Sequence, residues 1–401
     1  MIFDLGNASS LKKYNRSNLL NLVRINKSIS RTDLSKLTGL SQTAIGTLIA
    51  ELLKEEYVYE TGNGKSSGGR KPILLELKPN SYFSVGVDII ANQIRIVIID
   101  LLGNIVSEEV ERTDFYENYS ELLNYIESKI FSTLQRHLIP QKRLLGISLA
   151  IPGAVSNSLH RILFAYSLNW KNISVPKNFN SMPEVEIVVE NDANACAVFE
   201  NWIGSCQGLD NFICIIHRTG IGAGVFIKGK LYRGSDGFAA QIGHIQVDVN
   251  GPLCKCGNYG CLEVMAAECY ILRRMKKKIH QGIVKIKNVI DIDDIDFNMF
   301  LNMVLSGNKI ATKMLSDAAT YLGIGMSILI NVLNPTNIVF SVGYNHYPDI
   351  FINQINNTAK NKSLDIYKSR IRIAQSKPCE GSIAIGAAII PIKSLFGEDI
   401  Y

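Results

Sequence analysis

The stretch SYFSVGVDIIANQIRIVIIDLLGNIV, residues 81–106, decides the fold of this 401-residue chain. Its apolar runs and polar breaks predict a strand, a turn that contains Asp88, a second strand, a glycine turn and a third strand. About 130 residues later, NFICIIHRTGIGAGVFIKGKLY (211–232) repeats the order of strand, polar turn, apolar run, glycine turn and strand. Helical and strand patterns follow each copy. Two duplicated α/β halves predict two lobes around a cleft, where small ligands usually bind.

A helix-turn-helix pattern precedes the first copy of this repeat. Ser30 is a candidate N-cap with an acidic residue three positions later, and Leu34 and Leu37 are expected to form the buried edge of the first helix. Gly39 follows, where a helix commonly ends in a left-handed residue. Ser41 then caps a second helix with one apolar face, formed by Ala44, Ile45, Leu48, Ile49 and Leu52. The pattern favours a DNA-binding unit over a helical hairpin that merely packs.

The start of the second helix enters the major groove in this geometry. Its exposed residues are Gln42, Thr43 and Thr47. A glutamine can pair bidentately with adenine, and a threonine offers a hydroxyl and a methyl group. Ser41 and Arg31, at the starts of the two helices, complete the predicted DNA contacts of this pair.

Residues 57–77, YVYETGNGKSSGGRKPILLEL, follow as two β-prone runs around a tip of Gly, Ser, Lys and Arg. We interpret them as a wing hairpin that contacts backbone phosphates through Lys65, Arg70 and Lys71. Such contacts position a protein on DNA and do not read its sequence. A flexible interdomain linker is the alternative, but the apolar alternation over 73–77 favours a strand.

The positive charge of the chain lies almost entirely in this N-terminal region. Residues 1–80 hold 12 Lys and Arg against 7 Asp and Glu, a net charge of +5, whereas the whole chain carries +6. A basic unit on a nearly neutral body indicates that this unit binds a polyanion such as double-stranded DNA.

The sequence favours a cytoplasmic location with no membrane partner. The N-terminus lacks the apolar stretch of a signal peptide, and the nearly apolar runs at 321–333 and 383–392 are too short to span a bilayer. In the cytoplasm the eight cysteines are expected to be thiols or metal ligands and not disulfides.

Three cysteines cluster in NGPLCKCGNYGCLE, residues 250–263. The spacing of Cys254, Cys256 and Cys261 suits a metal knuckle, because the glycines between them let the backbone turn sharply around an ion. A tetrahedral zinc ion needs a fourth ligand. Cys269 is one candidate, and buried thiols without a metal are the alternative.

Five stretches of the body resemble the ROK family of sugar kinases and sugar-responsive repressors. They are LAIPGAV (149–155), VENDANACA (189–197), TGIGAGVFIKGKLYRGSDG (219–237), QIGHIQVDVNGPLCKCGNYGCLE (241–263) and LNPTNIVFSVG (333–343). The resemblance runs from about residue 80 to the end. The segments SSGGRKP and NGPLCKCGNYGCLE are especially similar to bacterial xylose repressors. This makes xylose the favoured sugar, with glucose or an amino sugar as the alternatives.

The resemblance implies an α/β chain in which a winged helix-turn-helix precedes a two-lobed, actin/hexokinase-like (ribonuclease H-like) ROK domain. We expect the DNA-binding unit at 1–80 and the first lobe at 81–198 with 380–401. The second lobe, with the zinc knuckle and a dimerisation surface, is expected at 199–379.

The resemblance also marks a sugar site and a structural zinc site. His244 matches the fourth metal ligand beside Cys254, Cys256 and Cys261. The implied sugar-binding residues are Asn191, Asp192, Gln241, His244 and Glu263. The residue that matches Asp192 is the catalytic base in family kinases, and Gln241 stands where the family usually has Glu. The run NDANA could equally cap a helix, and both roles are compatible.

Three elements that would hold a nucleotide depart from the kinase pattern. The residues after Asp88 are bulky where kinases have glycine, and Arg218 replaces a glycine although Gly220, Gly222 and Gly224 remain. Of a usual third glycine cluster, only Gly343 is kept. We therefore expect a non-enzymatic repressor, a dimer or tetramer that a sugar inducer releases from operator DNA. A sugar kinase is the alternative, and a metal-responsive regulator is a third possibility.

Overall fold

The computed structural model describes residues 8–63, 72–113, 118–285, 291–341 and 347–397. The helices are α1 (Ala8–Asn26), α2 (Arg31–Thr38), α3 (Gln42–Lys54), α4 (Tyr119–Arg136), α5 (Asp192–Trp202), α6 (Leu262–Ala266), α7 (Glu268–His280), α8 (Phe297–Leu305), α9 (Lys309–Leu333), α10 (Asp349–Asn361), α11 (Asp365–Lys368) and α12 (Ser382–Leu395). The strands are β1 (Ile29–Ser30), β2 (Val58–Asn63), β3 (Ile73–Leu77), β4 (Phe83–Ile90), β5 (Gln93–Asp100), β6 (Ile105–Arg112), β7 (Leu144–Ile151), β8 (Ala154–Ser156), β9 (Arg161–Ala165), β10 (Trp170–Ser174), β11 (Ile187–Asn191), β12 (Phe212–His217), β13 (Ile221–Ile227), β14 (Lys230–Leu231), β15 (Asn337–Ser341) and β16 (Arg372–Gln375).

The head, residues 8–77, is a winged helix. Ser30 and Ser41 cap α2 and α3 by accepting hydrogen bonds from the N–H groups of Asp33 and Ala44, and Gly39 ends α2 with φ of 71°. Strands β2 and β3 form the hairpin of the wing, and β1 pairs with β3. On the predicted apolar face of α3, four side chains are buried and Ala44 is half-buried; the buried ones are Ile45, Leu48, Ile49 and Leu52. The prediction for Leu37 is wrong, since this side chain is 60% exposed and only Leu34 forms the buried edge of α2.

The body contains two five-stranded sheets of the same topology. Their strand orders are β11-β7-β4-β5-β6 and, read from the opposite edge, β16-β15-β12-β13-β14. Each sheet begins with three consecutive antiparallel strands. A fourth strand pairs in parallel with the first strand of the sheet, and a fifth pairs in parallel with the fourth. This equivalence confirms the duplicated fold. Asp88 lies within β4 and not in the turn, which is formed by Ala91 and Asn92.

Two helices lie where the lobes meet. The C-terminal α12 returns to the first sheet, where Gly86 allows its backbone to approach so closely that a Cβ would lie 1.9 Å from the Ala384 carbonyl oxygen. Helix α5 packs on α12 and also on β12 and β13 of the second sheet. The division at residues 198/199 and 379/380 stays a prediction, and the packing of α12 is consistent with it.

Helix α9 extends well beyond the apolar run at 321–333. Its 25 residues are long and apolar enough, by length and composition, to cross a membrane. A core helix meets the same criterion, and α9 contributes Leu315, Leu322 and Met326 to the second-lobe core and packs against α10 and α6.

Candidate functional site

A cavity of about 260 Å³ opens between the two lobes. The first lobe lines it with residues of β9 and of the β11–α5 junction. The second lobe lines it with the turn between β12 and β13 and with residues near α6 and α7. The cavity brings together the five residues that the sequence marked for sugar binding, namely Asn191, Asp192, Gln241, His244 and Glu263. Their individual roles stay predictions.

Asn191 caps α5 at the base of this cavity. Its Oδ1 accepts a hydrogen bond from the Asn194 N–H at 3.1 Å. Its Nδ2 donates to the Gly153 carbonyl oxygen at 3.0 Å and to Asp192 Oδ1 at 3.1 Å. Both amide protons are therefore used within the protein, and a ligand could engage only the remaining lone pair of the Asn191 oxygen.

Asp192 is only 8% exposed at the first position of α5. Its Oδ1 accepts a hydrogen bond from the Ala193 N–H at 2.9 Å. Burial raises the pKa of Asp192 to about 7, with Arg218 opposing and Asp88 reinforcing this rise. A carboxyl group that titrates near neutral pH can accept a hydrogen bond from a hydroxyl group or donate one to it.

Arg218 and Asp88 form an ion pair across the cleft. Arg218 follows β12 in the second sheet, and its Nη2 lies 3.1 Å from Oδ2 of Asp88, on β4 of the first sheet. The guanidinium forms part of the wall between the ligand cavity and a second cavity of about 210 Å³. The residue that interrupts a glycine turn in the sequence thus supplies a positive charge between Asp88 and Asp192.

The glycines of β13 serve helix packing. A Cβ on Gly222 would lie 2.8 Å from the Ala193 Cβ, and a Cβ on Gly224 would lie 2.5 Å from the Ala197 Cβ. Both glycines thus let α5 approach the strand. Their presence in the sequence needs no bound phosphate to explain it.

Four side chains form a cluster that could hold a metal ion. The ligand atoms of His244, Cys254, Cys256 and Cys261 all lie within 4.8 Å of one another. Gly260 makes the fold possible: its φ is 61°, and a Cβ there would lie 1.6 Å from the carbonyl oxygen of Asp248. Cys269 lies outside this cluster, and its thiol donates to the Thr219 carbonyl oxygen at 2.9 Å.

The cluster directs two groups toward the cavity. His244 Nδ1 faces the Cys254 sulfur at 3.8 Å, which leaves Nε2 as the nitrogen that can reach a ligand. Cys261 directly precedes α6 and is its N-cap residue, so Glu263 lies in the first turn of this helix. Burial raises the pKa of Glu263, and the neighbouring His244 opposes this effect.

Several cavity residues were not predicted from the sequence. The aromatic rings of Phe164 and Tyr166 stack at 4.7 Å, and Tyr166 makes an edge contact with the His244 ring at 6.0 Å. Lys255 and Arg273 add positive charge to the lining. The aromatic pair lies about 90 residues before Lys255 in the sequence, and no local pattern marks these four residues as lining of the cavity.

The second cavity contains a buried polar chain that the sequence also did not reveal. Tyr347 Oη lies 2.5 Å from His217 Nδ1 and 2.6 Å from Glu268 Oε1. Burial raises the pKa of Glu268 to about 7 and lowers that of His217 to about 4. Burial thus favours the neutral forms of Glu268 and His217 beside the Asp88–Arg218 pair.

The predicted DNA-contacting residues of the helix pair are accessible at the surface of the head. Gln42, Thr43 and Thr47 are exposed at the start of α3. The Thr47 hydroxyl donates to the Thr43 carbonyl oxygen at 3.1 Å, and the Arg31 guanidinium pairs with Glu60 at 2.6 Å. Lys65, Arg70, Lys71 and Gly343 lie outside the described residues.

The chain matches known proteins over most of its length. The model of the ROK family matches residues 84–394. The xylose repressor of Caldicellulosiruptor bescii is 29% identical over 401 residues, covering 99% of this chain and all of that protein. A crystal structure of a ROK family transcriptional regulator, a homolog of the Escherichia coli MLC protein, is similar with a TM-score of 0.81 and 25% identity over 96% of this chain and 97% of that one.

A kinase shares the fold of about three quarters of this chain. The ROK family glucokinase from Streptomyces griseus, in complex with glucose and AMPPNP, has a TM-score of 0.66 at 24% identity and covers 76% of this chain and 98% of its own. The regulator therefore matches the head as well as the body, whereas the kinase leaves about a quarter of this chain unmatched.

Proposed function

Since this chain belongs to the ROK family, we propose that it is a sugar-responsive transcriptional repressor and not an enzyme. The winged head binds operator DNA, and a sugar in the cleft between the lobes releases it. The observation that carries this proposal is the Asp88–Arg218 ion pair beside Asp192. It occupies the turn where the resemblance to family kinases implies a glycine, whereas the polar residues expected to bind a sugar all line the cavity. D-xylose is the favoured inducer, because a relative that spans the whole chain is named a xylose repressor.

The polar groups of the cavity suit a small neutral carbohydrate. Asp192 and Glu263 offer carboxyl oxygens to paired hydroxyls, and His244 Nε2 and the Gln241 amide can donate or accept. The stacked Phe164 and Tyr166 rings add an apolar face of the kind that sugar rings contact. Asn191 contributes mainly by holding the carboxyl of Asp192 in place.

The four-residue cluster fits a structural zinc ion. In a tetrahedral site with Zn–S bonds of about 2.3 Å, neighbouring sulfurs lie about 3.8 Å apart. The Cys256 and Cys261 sulfurs lie 3.7 Å apart, and Cys254 lies 3.8 Å from His244 Nδ1. Zinc held by Cys254, Cys256, Cys261 and His244 would supply charge neutralisation and no open position for a reactant. The chain then fixes the His244 ring so that Nε2 points toward the sugar.

The kinase alternative has less support from the same residues. A nucleotide phosphate near β4 would have to compete with Asp88 for Arg218. The glycines Gly222 and Gly224, which suggested a phosphate turn, are required for the packing of α5. Release from DNA therefore replaces phosphoryl transfer as the outcome of sugar binding.

DNA recognition rests on the start of α3, with Gln42 and Thr43 directed at base edges. A homo-oligomer, dimer or tetramer, would present two heads to half-sites separated by helical turns of DNA. A sugar acts by favouring one arrangement of the lobes over the other. The cytoplasm is where such a repressor meets its operator.

The test uses the full-length protein and D-xylose. Thermal unfolding and calorimetry should show saturable stabilisation by D-xylose, because a ligand of the folded state raises its stability by mass action. Asp192→Ala should abolish this effect, and Asp365→Asn, at an exposed residue of α11, should preserve it. A DNA duplex selected from a random pool by the wild-type protein should be released by the sugar.

Two results would contradict the proposal. Sugar-dependent consumption of ATP would establish the kinase alternative. Duplex affinity that follows zinc and ignores D-xylose and other free sugars would establish the metal-responsive alternative.

A further inference from the structure

Helix α5 connects the ligand cavity with the head. Its first residue, Asp192, lies in the cavity, and its last, Trp202, packs beneath the head. The helix has 11 residues and is about 15 Å long at the standard rise per residue. One rigid element therefore spans the space between the proposed sugar site and the DNA-binding unit.

The contact at the far end is a clasp of three residues, Arg24, Trp202 and Phe396. The Arg24 guanidinium lies 3.9 Å from the centre of the Trp202 ring and 5.5 Å from that of Phe396. Asn21 Oδ1 accepts hydrogen bonds from Arg24 Nε and Nη2 at 3.1 and 2.7 Å and so fixes the guanidinium. Arg24 belongs to α1, Trp202 to α5, and Phe396 immediately follows α12. The clasp is thus sensitive to the position of α5 relative to α12.

The packing around α5 favours movement as a rigid body. A Cβ on Gly386 of α12 would lie 1.9 Å from the carbonyl oxygen of Ala195 on α5. A Cβ on Gly224 of β13 would lie 2.6 Å from the carbonyl oxygen of Ala193, also on α5. Closely packed backbones resist bending, so a displacement at one end of the helix reaches the other. One continuous apolar cluster runs from Val23 in the head through α5 to Phe212 in the second lobe.

We propose that the α5 helix and its Arg24–Trp202–Phe396 clasp transmit occupancy of the cleft to the head. Arg24 and Trp202 are positioning residues in this device, since neither lines the ligand cavity. This inference rests on the proposed function, because it assigns the route by which a sugar changes DNA binding. A sugar that engages Asp192 shifts α5 along α12 and β13, the indole of Trp202 moves beneath Arg24, and the head changes its orientation.

Trp202 itself provides the first test. The chain has two tryptophans, and Trp170→Phe leaves Trp202 alone. In this variant, D-xylose should change the fluorescence emission of Trp202, although the ring lies about 15 Å from the carboxyl of Asp192. The sugar concentration at the midpoint of this change should equal the midpoint of binding measured by calorimetry. Adding Asp192→Ala should remove both signals. Sugar binding by calorimetry with an unchanged Trp202 emission would overturn the inference while leaving the proposed function intact.

The second test measures coupling between sugar and DNA binding with matched variants at two separate head–body contacts. Arg24→Met should leave the D-xylose affinity without DNA within about two-fold, but reduce the sugar-dependent loss of duplex affinity at least about five-fold. The control is Arg143→Met, whose guanidinium contacts Glu56 and donates to the Glu55 carbonyl oxygen at 3.1 Å without touching α5. Equal loss of coupling in both variants would refute the specific route through α5. Absence of any sugar effect in the wild-type protein would instead refute the proposed function.

Discussion

Replacing Asp192 by Asn should stabilise the protein at the expense of sugar binding. The carboxyl of Asp192 titrates at about 7 in the fold and at about 3.8 when exposed to water. The raised pKa means that the folded state prefers the protonated form, so its stability falls as the pH rises from about 4 to about 7. The full penalty above pH 7 is about 4 kcal/mol, of which about 1.5 kcal/mol is already present at pH 5.

Asparagine removes this penalty and keeps the local hydrogen bonds. Its Oδ1 can still accept from the Ala193 N–H and from Asn191 Nδ2. The charged groups that face this position, Asp88 from β4 and Arg218 from the turn after β12, are the same in both proteins. The stability gained by Asp192→Asn over the wild type should therefore grow by about 2.5 kcal/mol between pH 5 and pH 8.

Urea unfolding of both proteins at pH 5 and pH 8 measures this difference. The control variant, Asp365→Asn, should be slightly less stable than the wild type at pH 8, the opposite of the effect of Asp192→Asn. The reason is that Lys368 lowers the pKa of the exposed Asp365 carboxyl, so the charged carboxylate stabilises the fold and its removal destabilises it. Stabilisation by D-xylose should be smaller in Asp192→Asn, because the free Nδ2 of asparagine can donate to a hydroxyl group but cannot accept from one, and it should persist unchanged in Asp365→Asn. An equal gain in unfolding free energy at both pH values would refute the idea that the charged Asp192 carboxylate destabilises the fold. So would an Asp192→Asn variant that is less stable than the wild type at pH 8.

The metal cluster and the recognition helix give two further predictions. Removal of zinc by a chelator should lower the thermal stability and weaken D-xylose binding, since Cys254, Cys256 and Cys261 would be left as neighbouring thiols with no cation between them. Adding zinc back should reverse both effects, and adding Mg²⁺ should not. A sugar affinity that survives chelation would contradict the link between the metal cluster and sugar binding. Gln42→Ala should weaken binding to the selected duplex by about 1–3 kcal/mol and relax the preference at one base pair. Thr312→Ala, on the body helix α9, is the matched control, and an equal effect of the two would show that α3 does not read bases.

Local signals in the sequence predicted much of the head and of the metal cluster. Ser30, Ser41 and Gly39 specify the ends of two helices through their own side chains or backbone conformation, and the structure confirms each. The three clustered cysteines lie within eight residues, so their proximity follows from the chain itself. The duplicated strand pattern was visible because each copy is contiguous.

Contacts between distant segments were not predictable from such patterns. Arg218 and Asp88 are 130 residues apart, and nothing in the sequence around either one indicates the other. The polar break at Asp88 between two apolar runs predicts a turn, but Arg218, its partner across the cleft, makes a position within the strand tolerable. Helical spacing alone predicts that Leu37 is buried with Leu34, but the structure leaves the Leu37 side chain 60% exposed.

The charges of the cleft also determine what kind of ligand can act as a signal. Asp88, Asp192 and Glu268 surround Arg218, and burial keeps Asp192 and Glu268 near the point of protonation. An anionic ligand would add negative charge to this group and compete with Asp88 for the guanidinium. A neutral sugar adds none, and its hydroxyl groups can match either protonation state of Asp192. The free energy of its binding is then available to shift α5 and is not consumed in breaking the ion pair between the lobes.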